Sequence, residues 1–426
     1  MAEDTLYQGS LANGLQVLLK EVHTAPLVSH WVWYRVGSRD EVPGRTGASH
    51  WVEHMLFKGT ERYPAGVLDR VISRVGGVWN ALTYLDWTTY FETLPAEHLD
   101  LALDLESDRM VHARFAEEDV EAERTVIISE RQGNENDPLF RLSEEVQAAA
   151  FRVHAYHHEV IGDMADLQTM GREDLYQHYR TYYGPNNAVL ALAGDFRIED
   201  VLPRIERYFG PLARIPDPPR LRRPEPPQSG ERRIIVEGAG ETTFVQLAYR
   251  APRGADEAFM AYFLLDSLLT GPSNLNFFGT DLSHHTSRLY RRLVDGGLAV
   301  SVSGSLQATI DPYLYWITLV VHPDRTPDEV IQAVEEEIQR LQDSPPPPEE
   351  LERARKQAKA LFAYNSESIT AQAFWLGYTA MFADYAWAQT FISRIYETTA
   401  EQIQAVAQRY LRPQQRVTGI YVPTGA

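Results

Sequence analysis

The segment EDLYQHYRTYYGPNNAVLALAG at 173–194 lies without gaps on EQIQAVAQRYLRPQQRVTGIYV at 401–422. Tyr182 falls on Tyr410, Pro185 on Pro413 and Val189 on Val417, a constant offset of 228 residues. Both copies read as an amphipathic helix, a proline-containing turn and a buried strand. Upstream, VSHWVWYRVGSRDE (28–41) matches FVQLAYRAPRGADE (244–257), with Tyr34 on Tyr249 at an offset of 215. The growth in offset gives the second copy about thirteen extra residues. Such a chain is expected to be α+β, with two tandem homologous domains, each a mainly antiparallel sheet covered by helices. The adjacent strand patterns GLQVLLKEV and LVSHWVWYRV are expected to pair antiparallel.

The strongest punctuation falls between the copies. PDPPRLRRPEPPQSGERR (216–233) is rich in proline and charge and has no apolar period. It divides the chain into an N-terminal domain at 1–215, a Pro-rich linker at 216–232 and a C-terminal domain at 233–426. A length of 426 residues also exceeds what one core ordinarily serves. The shorter run SPPPPEE (344–350) reads as the turn that starts the helical stretch after it.

Composition narrows the chemistry. The formal net charge of −19 argues against nucleic acid as a partner, and acids lining a cavity would favour basic ligands. With no cysteine, disulfides and thiolate ligands are excluded, so a bound metal would rest on His, Asp or Glu. The first residues do not read as a signal peptide, and no run approaches the ~18 apolar residues of a membrane helix. A cytoplasmic chain with no membrane partner is the expectation.

HWVEH at 50–54 sits in GASHWVEHMLFKGT, a pattern for a short helix opened near Thr46 and Gly47 and closed by Gly59. One turn apart, His50 and His54 project from one face, where two imidazoles can share a metal ion. Glu53 lies between them in angle, within reach of an attacking water. A third ligand is expected on EEDVEAERTVIISERQGNENDP (117–138), a helical pattern ending at Pro138. Glu123 and Glu130 share a face of that helix, and Val126, Ile127 and Ile128 are expected to turn the Glu130 region inward. Spacing leaves the choice between the two glutamates open.

Taken together, HWVEHMLFKGT, ERTVIISERQGNENDP, GGVWNALTYLDWTTYFETLP, HEVIGDMADLQ and YYGPNNAVLALAGD resemble the inverted-motif zinc peptidases of the insulinase family, M16. The likeness is to the shorter bacterial and mitochondrial-processing-peptidase-like branch, and continues into SRLYRRLVDGGLA and DPYLY of the second half. It implies a LuxS/MPP-like fold, Zn²⁺ as cofactor, peptides as substrates, and zinc ligation by His50, His54 and Glu130. Glu53 is then the general base, and Glu123 orients a ligand from behind. Asn80, Ala81 and Leu82 match an edge strand that pairs with the substrate backbone.

The sequence departs from the family pattern in its second half. Complete members carry there an arginine and, seven residues on, a tyrosine that reach the reacting carbonyl. Here those positions fall near Val294 and on Val300, and AFMAYFLLDSLLTG holds no histidine pair. The resemblance therefore implies the zinc-bearing subunit of a heterodimer whose M16-like partner supplies the Arg/Tyr pair, with a homodimer as the alternative. A non-catalytic scaffold of the same fold is the rival reading. The adjacent His284 and His285 are not expected to bind metal.

Overall fold

Two strand sequences are apolar along nearly their whole length, and both become central strands. AVLALAG (Ala188–Gly194) is buried at every position, and LVSHWVWY (Leu27–Tyr34) at all but its first. A strand covered on both faces needs no polar alternation. The computed structural model describes residues 5–220, 222–282 and 284–425. Its strands are β1 (Leu6–Ser10), β2 (Gln16–Glu21), β3 (Leu27–Tyr34), β4 (Val78–Thr83), β5 (Thr88–Pro95), β6 (Ala188–Gly194), β7 (Arg232–Gly238), β8 (Phe244–Arg250), β9 (Ala299–Ser305), β10 (Leu314–Val321) and β11 (Arg416–Pro423).

They form two sheets, in the orders β1-β2-β6-β3-β5-β4 and β7-β11-β8-β10-β9. The second order repeats the first without β1, down to the single parallel junction, β2 with β6 and β7 with β11. The register repeats as well: Tyr34 faces Ala188 in the first sheet and Tyr249 faces Arg416 in the second. These pairings stand at the two offsets read from the sequence. The α+β class with two homologous, mainly antiparallel sheets is what the chain adopts.

The expected pairing of GLQVLLKEV with LVSHWVWYRV is wrong. β6 lies between β2 and β3, parallel to one and antiparallel to the other. A fully apolar strand there satisfies the inner backbone groups of both neighbours, which a direct pairing would leave β6 without.

Compactness groups the chain less simply than the repeat does. One unit holds the chain up to Gln132, His158–Arg223 and Ser366–Tyr385; the other holds Gly133–His157, Pro224–Asn365 and the chain from Ala386. In the first unit, the helix Ile369–Phe382 covers β3 and β6; in the second, the helix Pro138–Ala150 covers β7 and β11. Each sheet is thus covered by a helix from the opposite half of the sequence. The approach is close enough to require glycine. A methyl group on Gly377 would collide with the Trp33 indole, and one on Gly419 with Val146. Gly377→Ala is therefore expected to destabilise the first unit by about 1–3 kcal/mol through overpacking, read as a lower denaturant midpoint. An unchanged midpoint would mean that the helix can slide outward freely.

Candidate metal centre

The helix Ala48–Leu56 begins one residue after Gly47, whose φ of 83° is left-handed. A side chain there would also strike the Ile161 carbonyl, so glycine meets both demands. The Glu41 carboxyl group accepts hydrogen bonds from the backbone N–H of Gly47 (2.8 Å) and of Ser49 (2.7 Å), capping two of the free donors at the helix N-terminus, while burial raises its pKa to about 8. Trp51, Val52, Met55 and Leu56 are completely buried. Their packing fixes the rotation of the helix and turns His50, Glu53 and His54 to a shared face.

Opposite lies the helix Glu117–Glu135, whose buried residues are Val120, Glu123, Ile127 and Arg131. This corrects the expected stripe at 126–128: Val126 is 49% exposed, because three- and four-residue spacing carries the inward face through Ile127 instead. The helix also stops at Glu135, and Pro138 opens the next one, with Asp137 accepting from the Leu139 N–H.

The structure brings His50, His54 and Glu130 together. One ligand atom from each lies within 4.8 Å of the others, and among the described residues no other such triad of potential metal ligands occurs. His50 Nε2 is 3.9 Å from Glu130 Oε1, and His54 Nε2 is 3.8 Å from Glu130 Oε2. Bonds of ~2.0–2.1 Å to a single tetrahedral Zn²⁺ would set such atoms about 3.3 Å apart, so the three groups would have to close in on an ion. Glu130 is 43% exposed along its side chain, which leaves it free to make that movement. Two imidazoles and a carboxylate, without thiolate, are a donor set that fits zinc.

Electrostatics prepare the donors. Burial, reinforced by the neighbouring His54 ring, lowers His50 to about 3, so it is neutral with a lone pair available. Its Nδ1 is buried without a hydrogen-bond partner, leaving Nε2 as the nitrogen aimed at Glu130. Burial also pulls His54 down, but the Glu123 carboxylate on its Nδ1 and the nearby Glu53 and Glu130 outweigh this and raise it. Glu123 Oε1 is 2.8 Å from His54 Nδ1, and Glu123 Oε2 is 2.5 Å from Lys58 Nζ. Burial works against the Glu123 anion, yet these two partners hold its pKa below the ordinary value. Glu53 is raised by burial, against the opposing effect of the Thr83 hydroxyl, which donates to Glu53 Oε2 at 2.5 Å.

Sequence reasoning had not singled out Lys58 or Thr83. Lys58 was open to it, standing one helical turn beyond His54; Thr83 was not, since it depends on β4 packing against the helix. β4 is an edge strand, bonded only to β5, and it carries Asn80, Ala81 and Leu82 in its middle. Asn80 is exposed, and its Oδ1 accepts from the Ala81 N–H at 2.9 Å.

Among its described residues, the second unit offers no equivalent centre. Its helix Phe259–Leu269 contains no histidine and is buried along its full length. Val300 is 55% exposed on β9, itself an edge strand. His285 stacks on Tyr290, with centroids 4.5 Å apart, and no ligand triad among the described residues includes it or His284. No helix among the described residues is long and apolar enough to cross a membrane.

Comparison with known proteins finds two matching family models. Residues 16–164 match the model for Insulinase (Peptidase family M16), and residues 169–358 the model for the Peptidase M16 inactive domain. The zinc protease PqqE of Helicobacter pylori is 32% identical over 61% of this chain and 60% of its own length. An uncharacterized zinc protease of Mycobacterium tuberculosis is 31% identical over 75% of this chain and 71% of its own. Among solved structures, a protease from Helicobacter pylori superposes with a TM-score of 0.92 at 26% identity, covering 99% of this chain and 100% of that one.

Proposed function

The chain belongs to the M16 (insulinase) peptidase family, and from that premise we propose that it is the zinc-bearing subunit of an endopeptidase that cleaves unfolded peptides. The observation that carries the reading is the convergence of His50, His54 and Glu130 beside a buried, hydroxyl-bonded Glu53. His50, His54 and Glu130 would hold the zinc, which when bound supplies Lewis acidity toward water and the scissile carbonyl.

The remaining work falls to the chain's own side chains. Glu53 takes the proton of the attacking water and passes it to the leaving amine, a task suited to a carboxylate whose pKa is raised by burial. Thr83 fixes the Glu53 oxygen that it bonds, leaving the other to face the substrate. Glu123, charge-balanced by Lys58, orients the His54 ring through Nδ1 so that Nε2 is turned toward Glu130, where it would bind the metal. The free edge of β4, at Asn80, Ala81 and Leu82, adds the substrate as a further strand beside Glu53. Val294 and Val300 offer no side-chain donor to the developing oxyanion, so an M16-like partner with the Arg/Tyr pair completes the site. The repeat boundary at 216–232 belongs to the same proposal, as the junction between a catalytic and a supporting repeat.

Removal of zinc by a chelator should abolish cleavage of a quenched unfolded peptide by the assembled enzyme, and stoichiometric zinc should restore it. Cleavage that survives complete metal removal would refute the assignment. Glu123→Gln should weaken zinc binding by about 10–100-fold in competition with a chromophoric chelator, since the His54 ring loses its charged anchor. Unaltered affinity would reduce Glu123 to a packing role.

A further inference from the structure

The second unit contains a cavity of about 450 Å³ that the proposed peptidase chemistry does not use. This is within the range of small-ligand sites. One wall is the extended segment 224–228, which lies across the cavity as a strap; Pro252, Pro312 and Tyr410 form apolar surface around it. The strap is pinned, because Glu225 accepts the backbone N–H groups of Arg152, Val153 and His154 at 2.7, 2.8 and 3.0 Å. Gln228 adds a bond to the Arg416 carbonyl at 2.7 Å.

The polar groups around this apolar space are arranged unevenly. Arg250 lies over the Phe151 ring at 3.8 Å and donates through Nη2 to the Ala150 carbonyl at 2.6 Å. Its Nη1 is buried with no hydrogen-bond partner. Glu225, already engaged by three backbone groups, stays 3.8 Å from Nη2 and does not satisfy Nη1. Burial lowers Arg250 to about 10, so it remains a cation at neutral pH. Arg409 and Arg412 also line the cavity, and neither has a carboxylate partner among the described residues. Asp256, in the same lining, uses Oδ1 to accept from the Ala258 N–H at 2.8 Å, and Oδ2 has no partner among the described residues. A buried guanidinium N–H without an acceptor is costly, and a ligand oxygen would relieve it.

We propose that this cavity binds a short apolar peptide as a zwitterion, with its C-terminal carboxylate on Arg250 and Arg409, its side chains against the prolines and Tyr410, and its ammonium group toward Asp256. Bidentate capture of a carboxylate is what a guanidinium does best, and the proline and tyrosine walls suit apolar side chains at small entropic cost. The site lies wholly within the second unit and does not depend on the metal centre.

The test is calorimetric titration of the full chain with the tripeptide Ala-Pro-Phe, its C-terminal amide and its N-acetyl form. The free tripeptide should bind with a stoichiometry of about one. Amidation should weaken it at least about tenfold, the loss of a charge-assisted hydrogen bond, and acetylation should weaken it detectably. Arg250→Gln should have the same effect as amidation. Because Arg250 also supports the Ala150 carbonyl, Arg409→Glu serves as the second variant: it is exposed, makes no ion pair and should fold normally. Absence of binding at millimolar peptide, or binding that ignores both amidation and Arg409→Glu, would overturn the proposal. Equal affinity for the acetylated peptide would overturn the role of Asp256.

Discussion

Glu53→Gln is expected to lower peptide hydrolysis by at least about 10²–10⁴-fold while the chain still holds about one zinc ion. The substitution keeps shape and volume, and the amide oxygen can still accept from Thr83 Oγ1, which lies 2.5 Å from Glu53 Oε2. What it removes is a group able to take a proton at neutral pH. The three atoms that would hold the ion lie outside the substitution, so zinc content measured by plasma emission should match the wild type. If the variant lost its metal, Glu53 would be a structural support of the site. If it remained active, another base would be at work.

Purified without a partner, this chain should be folded and zinc-loaded but slow. Mixing with an M16-like subunit that carries the Arg/Tyr pair should raise kcat by about 10²–10³-fold, the usual effect of one oxyanion donor. Val300 is exposed on β9, and its side chain has no hydrogen-bond donor to offer. Substituting the partner's arginine or tyrosine should return the rate to that of the isolated chain. Full activity from a homodimer of this chain alone would contradict the proposal and require a donor from elsewhere in the fold.

What could be read from the sequence was local or periodic. The repeat at offsets 215 and 228 was visible, and the paired register of Tyr34 with Ala188 and Tyr249 with Arg416 is its physical counterpart. The helix around HWVEH was visible because Gly47 stands immediately before it with positive φ; it ends at Leu56, three residues short of the expected stop at Gly59. Strand order was not visible: β6 reaches its place between β2 and β3 after more than a hundred and fifty residues, and no local pattern encodes that insertion. The same holds for the exchanged helices Pro138–Ala150 and Ile369–Phe382, whose partners are remote in sequence. At the metal centre, periodicity put Glu123 and Glu130 on one face but could not separate them. In the structure Glu123 bonds His54 Nδ1 and is 8% exposed along its side chain, while Glu130 is 43% exposed and lies within 4 Å of both imidazoles.

The central claim is that His50, His54 and Glu130 hold one zinc ion, and anomalous diffraction at the zinc absorption edge tests it most directly. Crystals of the zinc-loaded protein should show one strong anomalous peak, about 2.0–2.2 Å from His50 Nε2, His54 Nε2 and a Glu130 carboxylate oxygen. A peak ligated by Glu123 in place of Glu130, or the absence of any peak beside the two histidines in protein shown to contain zinc, would contradict it.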